Sequence, residues 1–215
     1  MELTTTICLV RHGQTEANQT GIFQGHADVP LDSAGLEQAR RVGERLRQVP
    51  FDAILSSDLS RAAVTARAIA GERPVLLRKE LREWDLGHWV GLTFAQVAER
   101  FPEEYRNFKD SASEGAIEGG ESRARFNARA ARVLWDLAGE FAGKTVLCVT
   151  HGGVLKAMFK AAAGFTPHGR FLRTDNASLS CLRCFNDTGL WQVVTWNDCA
   201  HLGTAGTADE KFPFK

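Results

Sequence analysis

Two histidines in this chain occupy the same kind of place. His12 closes the apolar run 6–10, with Arg11 before it and Gly13 after it, and His151 follows the run 145–150 and precedes Gly152 and Gly153. A neutral imidazole is a competent nucleophile near neutral pH and does not repel an anion as a carboxylate would. The planar guanidinium of Arg11 can bind two phosphate oxygens at once. Gly13 lets the backbone approach a ligand closely. Arg61 falls near the start of a predicted helix, where free N–H groups and the macrodipole already favour an anion. Phosphoryl transfer asks for this combination: a nucleophile in line with the leaving oxygen and positive charge around the equatorial oxygens. By residue type alone, His151 reads either as a second nucleophile or as a donor to the anion. Glu83 is a carboxyl suited to protonating a leaving oxygen, and Asp85, two positions on, is its rival.

The elements that must position these groups follow from periodicity. Short apolar runs predict strands at 6–10, 51–55, 74–77 and 145–150. Leu36, Ala39, Val42, Gly43 and Leu46 predict a helix over 33–48 that starts at a capping serine. Further helices are expected over about 59–70, 122–141 and 154–163, and Thr93 with Gln96 forms a capping box for a short helix that stops before Pro102. Residues 111–120 form the one stretch rich in small, flexible residues, and strands at 178–185 and 191–197 are joined by a turn signal into an antiparallel hairpin. This alternation predicts an α/β fold: a three-layer αβα sandwich with a mostly parallel central sheet and an antiparallel edge strand. No linker divides the chain, so residues 1–215 are expected to be a single domain. In such sheets ligands bind beyond the carboxyl ends of the strands, where Arg11, His12 and His151 fall.

Composition narrows the partners. The chain has 26 basic and 26 acidic residues, so no global field argues for nucleic acid or a membrane surface. Five cysteines are an odd number, and Cys181 and Cys184 form a C-x-x-C that invites a zinc or redox reading. On a strand, however, positions i and i+3 face opposite ways, and no second pair completes a site, so no metal is expected. No run reaches the ~20 apolar residues of a membrane span, and the amino terminus lacks the pattern of a secretory signal; a cytoplasmic enzyme is expected. The tryptophans at 84, 89, 135, 191 and 196 are expected to pack core or pocket walls.

Ordered motifs add a family resemblance. The stretch from Leu9 to Asn18 closely resembles the signature of the histidine phosphatase superfamily, which includes the cofactor-dependent phosphoglycerate mutases. The likeness continues through 23–31, 56–66, 81–91, Gly119 to Ser122 and Val149 to Gly153. It is nearest to the phosphatase branch that contains α-ribazole phosphatase and broad-specificity phosphatases. The resemblance implies that His12 accepts the phosphoryl group while Arg11, Arg61 and His151 surround it. It makes Glu83 the proton donor, and Asn18, Gln24 and Gly25 contacts to phosphate or substrate. Thr65, one turn after Arg61, is read as a packing or helix-positioning residue. The implied partner is a small phosphate ester, with no cofactor and no metal, and a homo-oligomer is left open. Relatives often carry glutamate where this chain has Val90, which weakens any assignment of substrate. A mutase primed by 2,3-bisphosphoglycerate is the alternative activity, and a non-catalytic phosphate-ester sensor is a third reading. His26, His88, His168 and His201 have weaker claims, His168 lying in a basic stretch with Arg170 and Arg173.

Overall fold

The apolar runs form the middle of a six-stranded sheet in the computed structural model, which describes residues 3–110, 115–164 and 172–205. In chain order the strands are β1 (Thr4–Arg11), β2 (Ala53–Ser56), β3 (Leu76–Leu77), β4 (Thr145–Thr150), β5 (Leu179–Phe185) and β6 (Leu190–Asp198). Their spatial order is β3-β2-β4-β1-β5-β6. The first four pair in parallel, β5 runs against β1, and its hairpin partner β6 forms the edge.

The central strands are apolar without alternation because both faces are covered. Ile7 and Leu9 of β1 enter one core and Val10 the other, and β4 divides the same way, with Val146 and Cys148 against Leu147 and Val149. Helices α2 (Ser33–Leu46) and α3 (Ser60–Ala70) close the Val10 face, while α6 (Arg123–Glu140) and α7 (Gly152–Ala163) close the other. The short helices α1 (Glu16–Thr20), α4 (Phe94–Arg100) and α5 (Pro102–Lys109) complete the described elements of this class. The sandwich is the αβα fold expected.

Several boundaries differ, each for a local reason. The cap of α2 is Asp32, whose Oδ1 accepts the Gly35 N–H at 2.7 Å, and not Ser33. Leu36 is 52% exposed, and Gln38 is buried in its stead because its Oε1 accepts the Gln14 N–H at 2.9 Å. The helix capped by Thr93 does stop before Pro102, at Arg100, but Pro102 then opens a further helix, α5, at the first position, where its missing N–H has no partner to lose. The third strand shrinks to Leu76–Leu77, and α7 starts at Gly152, earlier than 154, so that His151 is its cap residue. Trp84 and Trp89 are buried, whereas Trp135 is 43% exposed and meets the half-buried Trp191 edge-on at 5.3 Å. Cys184 joins one core while Cys181 lies beside Cys8 on the other face, as a strand requires. Among the described residues no helix is long and apolar enough to cross a membrane.

Candidate active site

β1 and β4 are parallel neighbours with Arg11 opposite Thr150. The next residue of each strand is a histidine, and the two rings come to 5.1 Å between centroids at 60°. On the far side of β4, β2 ends at Ser56, and Ser57 follows. The helix N-termini of α7 and α3 open directly after these strand ends, adding partial positive charge to the same edge.

His12 is 3% exposed. Its Nδ1 lies 2.6 Å from the Gly13 carbonyl. A carbonyl only accepts, so Nδ1 carries the hydrogen and Nε2 keeps its lone pair. Burial, then Arg61 and Arg11, push its pKa well below the ordinary imidazole value. The ring is therefore neutral at pH 7. Its loop is held tightly: the Gly13 N–H donates to Thr65 Oγ1 at 3.1 Å, and that hydroxyl donates to the Arg61 carbonyl at 2.7 Å. Thr65 thus ties the loop of His12 to α3, a contact beyond the packing or helix-positioning role expected of it. Gly13 lies so close to α2 that a Cβ there would come 2.4 Å from the Gly35 carbonyl oxygen.

His151 is fully buried and engaged through its other nitrogen, with Nε2 2.9 Å from Ser57 Oγ. That hydroxyl accepts the Leu59 N–H at 3.3 Å and can give its own hydrogen to an unprotonated Nε2. In that tautomer the ring hydrogen sits on Nδ1, which is buried and has no partner among the described residues. Burial, followed by Arg61, His12 and Arg11, also holds this imidazole well below its ordinary pKa.

Arg61 is 1% exposed; its Nη1 donates to the Ala27 carbonyl at 2.8 Å and its Nη2 to the Gly25 carbonyl at 2.9 Å. Burial lowers its pKa to about 10, which leaves it charged at neutral pH. Arg11 donates from Nη1 to the Thr174 carbonyl at 2.6 Å. Burial lowers its pKa as well, against the pull of Glu83 and Asp175. Both guanidiniums keep a buried Nε–H without an acceptor among the described residues.

Glu83 reaches the same edge from an irregular stretch. Its Oε2 accepts the Gly153 N–H and its Oε1 the Trp84 N–H, each at 3.0 Å. A Cβ on Gly153 would lie 2.2 Å from Glu83 Oε1, and one on Gly152 would lie 3.3 Å from Arg11 Nε. The paired glycines after His151 are thus the gaps through which a carboxylate and a guanidinium approach the start of α7. Asp85 does something else: its Oδ1 accepts the Gly87 N–H at 3.2 Å and its Oδ2 lies 3.7 Å from His26 Nδ1.

With this geometry in place, comparison with known proteins is decisive. A family profile described as histidine phosphatase superfamily (branch 1) matches residues 7–199. The chain belongs to that family. It is 35% identical over 212 residues to phosphoglycerate mutase-like protein 4 of Arabidopsis thaliana, covering 96% of this chain and 90% of the relative. It is also 35% identical over 213 residues to the metal-independent phosphoserine phosphatase of the same plant, covering 97% and 87%. Phosphoserine phosphatase from Entamoeba histolytica, solved with 3-phosphoglyceric acid, superposes with a TM-score of 0.83 at 31% identity, covering 92% and 99%. The chain is a phosphatase of this superfamily.

In this phosphatase the structure brings Arg11, His12, Arg61, Glu83 and His151 to one edge of the sheet. The other candidates divide. Asn18 commits Oδ1 to the Thr15 N–H at 3.2 Å and to Asn176 Nδ2 at 3.1 Å, leaving only its amide nitrogen for a ligand. Gln24 has a buried Oε1 without a partner, whereas Gly25 gives its carbonyl to Arg61. His88 and His201 bond to the carbonyls of Glu118 and Ala177 at 3.0 Å. His168 and Arg170 lie outside the described residues, and Arg173 pairs with Asp175 at 2.8 Å. Among the described residues no group of three or more His, Cys, Asp or Glu is arranged to hold a metal ion.

Sequence reasoning missed the residues that hold these groups. Asn176 donates to the His12 carbonyl at 3.0 Å, and the Ala177 N–H to the Arg11 carbonyl at 3.0 Å. Arg129 fastens the Glu83 stretch through the carbonyls of Glu80 and Arg82 at 2.8 Å and Glu83 at 3.0 Å. Glu121 grips that guanidinium with both oxygens, at 2.9 and 2.7 Å. His26 Nε2 donates to the Glu83 carbonyl at 2.9 Å. No spacing signal marks Asn176 or Arg129; Ser57 and Glu121 stood within matched motifs without a stated role, and His26 was only a weak candidate.

Proposed function

We propose that residues 1–215 form a single-domain, metal-independent phosphomonoesterase that hydrolyses a small phosphorylated metabolite through a phosphohistidine on His12. One observation carries the reading. Two buried donors, Arg11 Nε and Arg61 Nε, and with His151 in its Nδ1–H form a third, lack acceptors among the described residues around a neutral imidazole whose Nε2 keeps its lone pair. An unsatisfied buried donor costs about 1–3 kcal/mol, and a phosphoryl group offers the acceptors that remove the cost. His12 Nε2 attacks phosphorus while Nδ1–H, held on the Gly13 carbonyl, carries the developing charge. The Glu83 carboxyl protonates the leaving oxygen, then takes a proton from the water that attacks the same phosphorus. Two in-line displacements retain configuration.

Two guanidiniums supply the charge stabilisation that a metal supplies elsewhere, which supports independence from metal and from any organic cofactor. Relatives named as phosphoserine phosphatases make phosphoserine the first substrate to try. The reading requires no nucleic acid or membrane partner and includes the cytoplasmic location expected from sequence. The test is a panel of phosphoserine, phosphoglycerates, sugar phosphates, nucleotides and α-ribazole phosphate, assayed with excess chelator. Inorganic phosphate should be released from at least one alkyl phosphate. Loss of activity restored by a divalent cation would contradict metal independence. Conversion of 3-phosphoglycerate to 2-phosphoglycerate with a bisphosphoglycerate primer, without phosphate release, would make it a mutase.

A further inference from the structure

Away from the phosphate edge, two half-buried thiols face each other across the β1–β5 ladder. Cys8 and Cys181 are direct register partners. The Arg11 N–H donates to the Ser178 carbonyl and the Asn186 N–H to the Leu3 carbonyl, so hydrogen-bonded pairs fall on the odd-numbered residues of β1. Cys8 therefore occupies a non-hydrogen-bonded pair. At such pairs the Cα atoms stand about 4.5 Å apart, inside the ~4.4–6.8 Å that a disulfide spans. The two Sγ atoms are 3.9 Å apart, with the Cys8 S–H directed at Cys181. A disulfide needs about 2.05 Å between the sulfurs, so the two side chains must rotate towards each other to close that gap.

We propose that Cys8 and Cys181 are a redox-modification site, oxidised by a hydroperoxide to a cross-strand disulfide that pins β1 to β5 and reduced again by thiols. The inference does not rest on the phosphatase chemistry. The Cys8 hydrogen bond lowers the pKa of Cys181, while that of Cys8 is raised, so Cys181 ionises first. Its thiolate attacks the peroxide: an S–O bond forms, the O–O bond breaks, and the departing oxygen takes a proton and leaves as water or alcohol. The Cys8 sulfur then attacks the sulfenic sulfur, the S–O bond breaks, and hydroxide leaves with the Cys8 proton as water. Two thiols are oxidised and one peroxide reduced. Cys148 and Cys184 are buried in the α6–α7 core, on the opposite face of the sheet. Cys199 packs on the same core as Cys8, which makes it the rival partner.

The test uses the full-length folded protein, treated with hydrogen peroxide, denatured, alkylated and mapped by mass spectrometry without reduction. Of five thiols, two should resist alkylation, a peptide pair should link Cys8 to Cys181, and dithiothreitol should restore all five. Cys199→Ser should still lose two thiols, whereas Cys181→Ser should lose none to a disulfide; circular dichroism verifies that each variant is folded. A link from Cys199 to either thiol, a link between chains, or sulfinic acid on Cys181 with Cys8 still alkylatable would overturn the proposal. So would five alkylatable thiols at a peroxide dose that oxidises a free dithiol.

Discussion

Arg11, His12 and His151 leave the ends of two central strands, whereas Glu83 leaves an irregular stretch between the 3-10 turns Lys79–Leu81 and Gly87–Trp89. The strand-borne groups inherit their places from the ladder: fixing Arg11 opposite Thr150 fixes both histidines. The loop-borne carboxylate has no ladder. Its position depends on the Gly153 N–H, on Arg129 and on His26. A strand end admits few intermediate positions, while a loop held by side chains can drift. Damage to the first region should therefore be nearly all-or-none, and damage to the second graded and dependent on what the substrate asks of an acid.

The largest effect expected is from His12→Ala, which removes the proposed nucleophile: turnover should fall by on the order of 10⁴-fold or more, with an unchanged far-ultraviolet circular dichroism spectrum. Substantial residual activity would dissolve the distinction between the two regions. Glu83→Gln should slow phosphorylation of the enzyme by an alkyl phosphate by ~10²–10⁴-fold, but p-nitrophenyl phosphate far less, because its phenolate leaves without a proton. Asp85→Asn should show no such leaving-group dependence in single-turnover rates. The reverse pattern would move the acid two residues along the loop.

Gly153→Ala sharpens the comparison without replacing a charged group. Its Cβ would strike Glu83 Oε1, at 2.2 Å, so the carboxylate must shift while the cradle stays in place. The variant should reproduce the leaving-group pattern of Glu83→Gln in weaker form, about 10-fold by single-turnover kinetics, since the proposed acid would be displaced and not absent. Equal slowing for both esters would mean the glycine serves the cradle instead.

The smallest response expected is to pH. Burial and the two arginines hold the His12 and His151 pKa values well below 6.5. Their ring resonances should stay those of neutral imidazole in an NMR titration through pH 6.5. An ordinary titration there would contradict the buried, neutral cradle. The linked effect on stability has a definite sign. Below about pH 6.5 the unfolded chain binds protons that the folded site refuses, so unfolding becomes easier as pH falls towards the depressed folded-state pKa.

Much of the cradle was legible because its residues sit at strand ends, where an apolar run stops at a charged or glycine residue. The sandwich followed from the same runs. The weak points were residues whose role is to serve another residue. Gln38 looks like a polar interruption of an apolar helix face until the Gln14 N–H that it satisfies is seen. Arg129 looks like a surface arginine on α6, and only the folded loop places the carbonyls of Glu80, Arg82 and Glu83 around it. Asn176 lies far from His12 in sequence, so no local pattern connects them. The two glycines after His151 were visible as a motif, but their meaning depends on side chains arriving from Arg11 and Glu83.

The central claim is that His12 Nε2 takes the phosphoryl group, and its direct test is to trap that bond. Rapid quench with a phosphorus-labelled alkyl phosphate, followed by mild digestion at alkaline pH and fragmentation of the labelled peptide, locates both residue and nitrogen. The expected result is acid-labile label on His12 at Nε2, formed at least as fast as turnover. Label on His12 Nδ1, on His151, or in an acid-stable bond to serine would contradict the account.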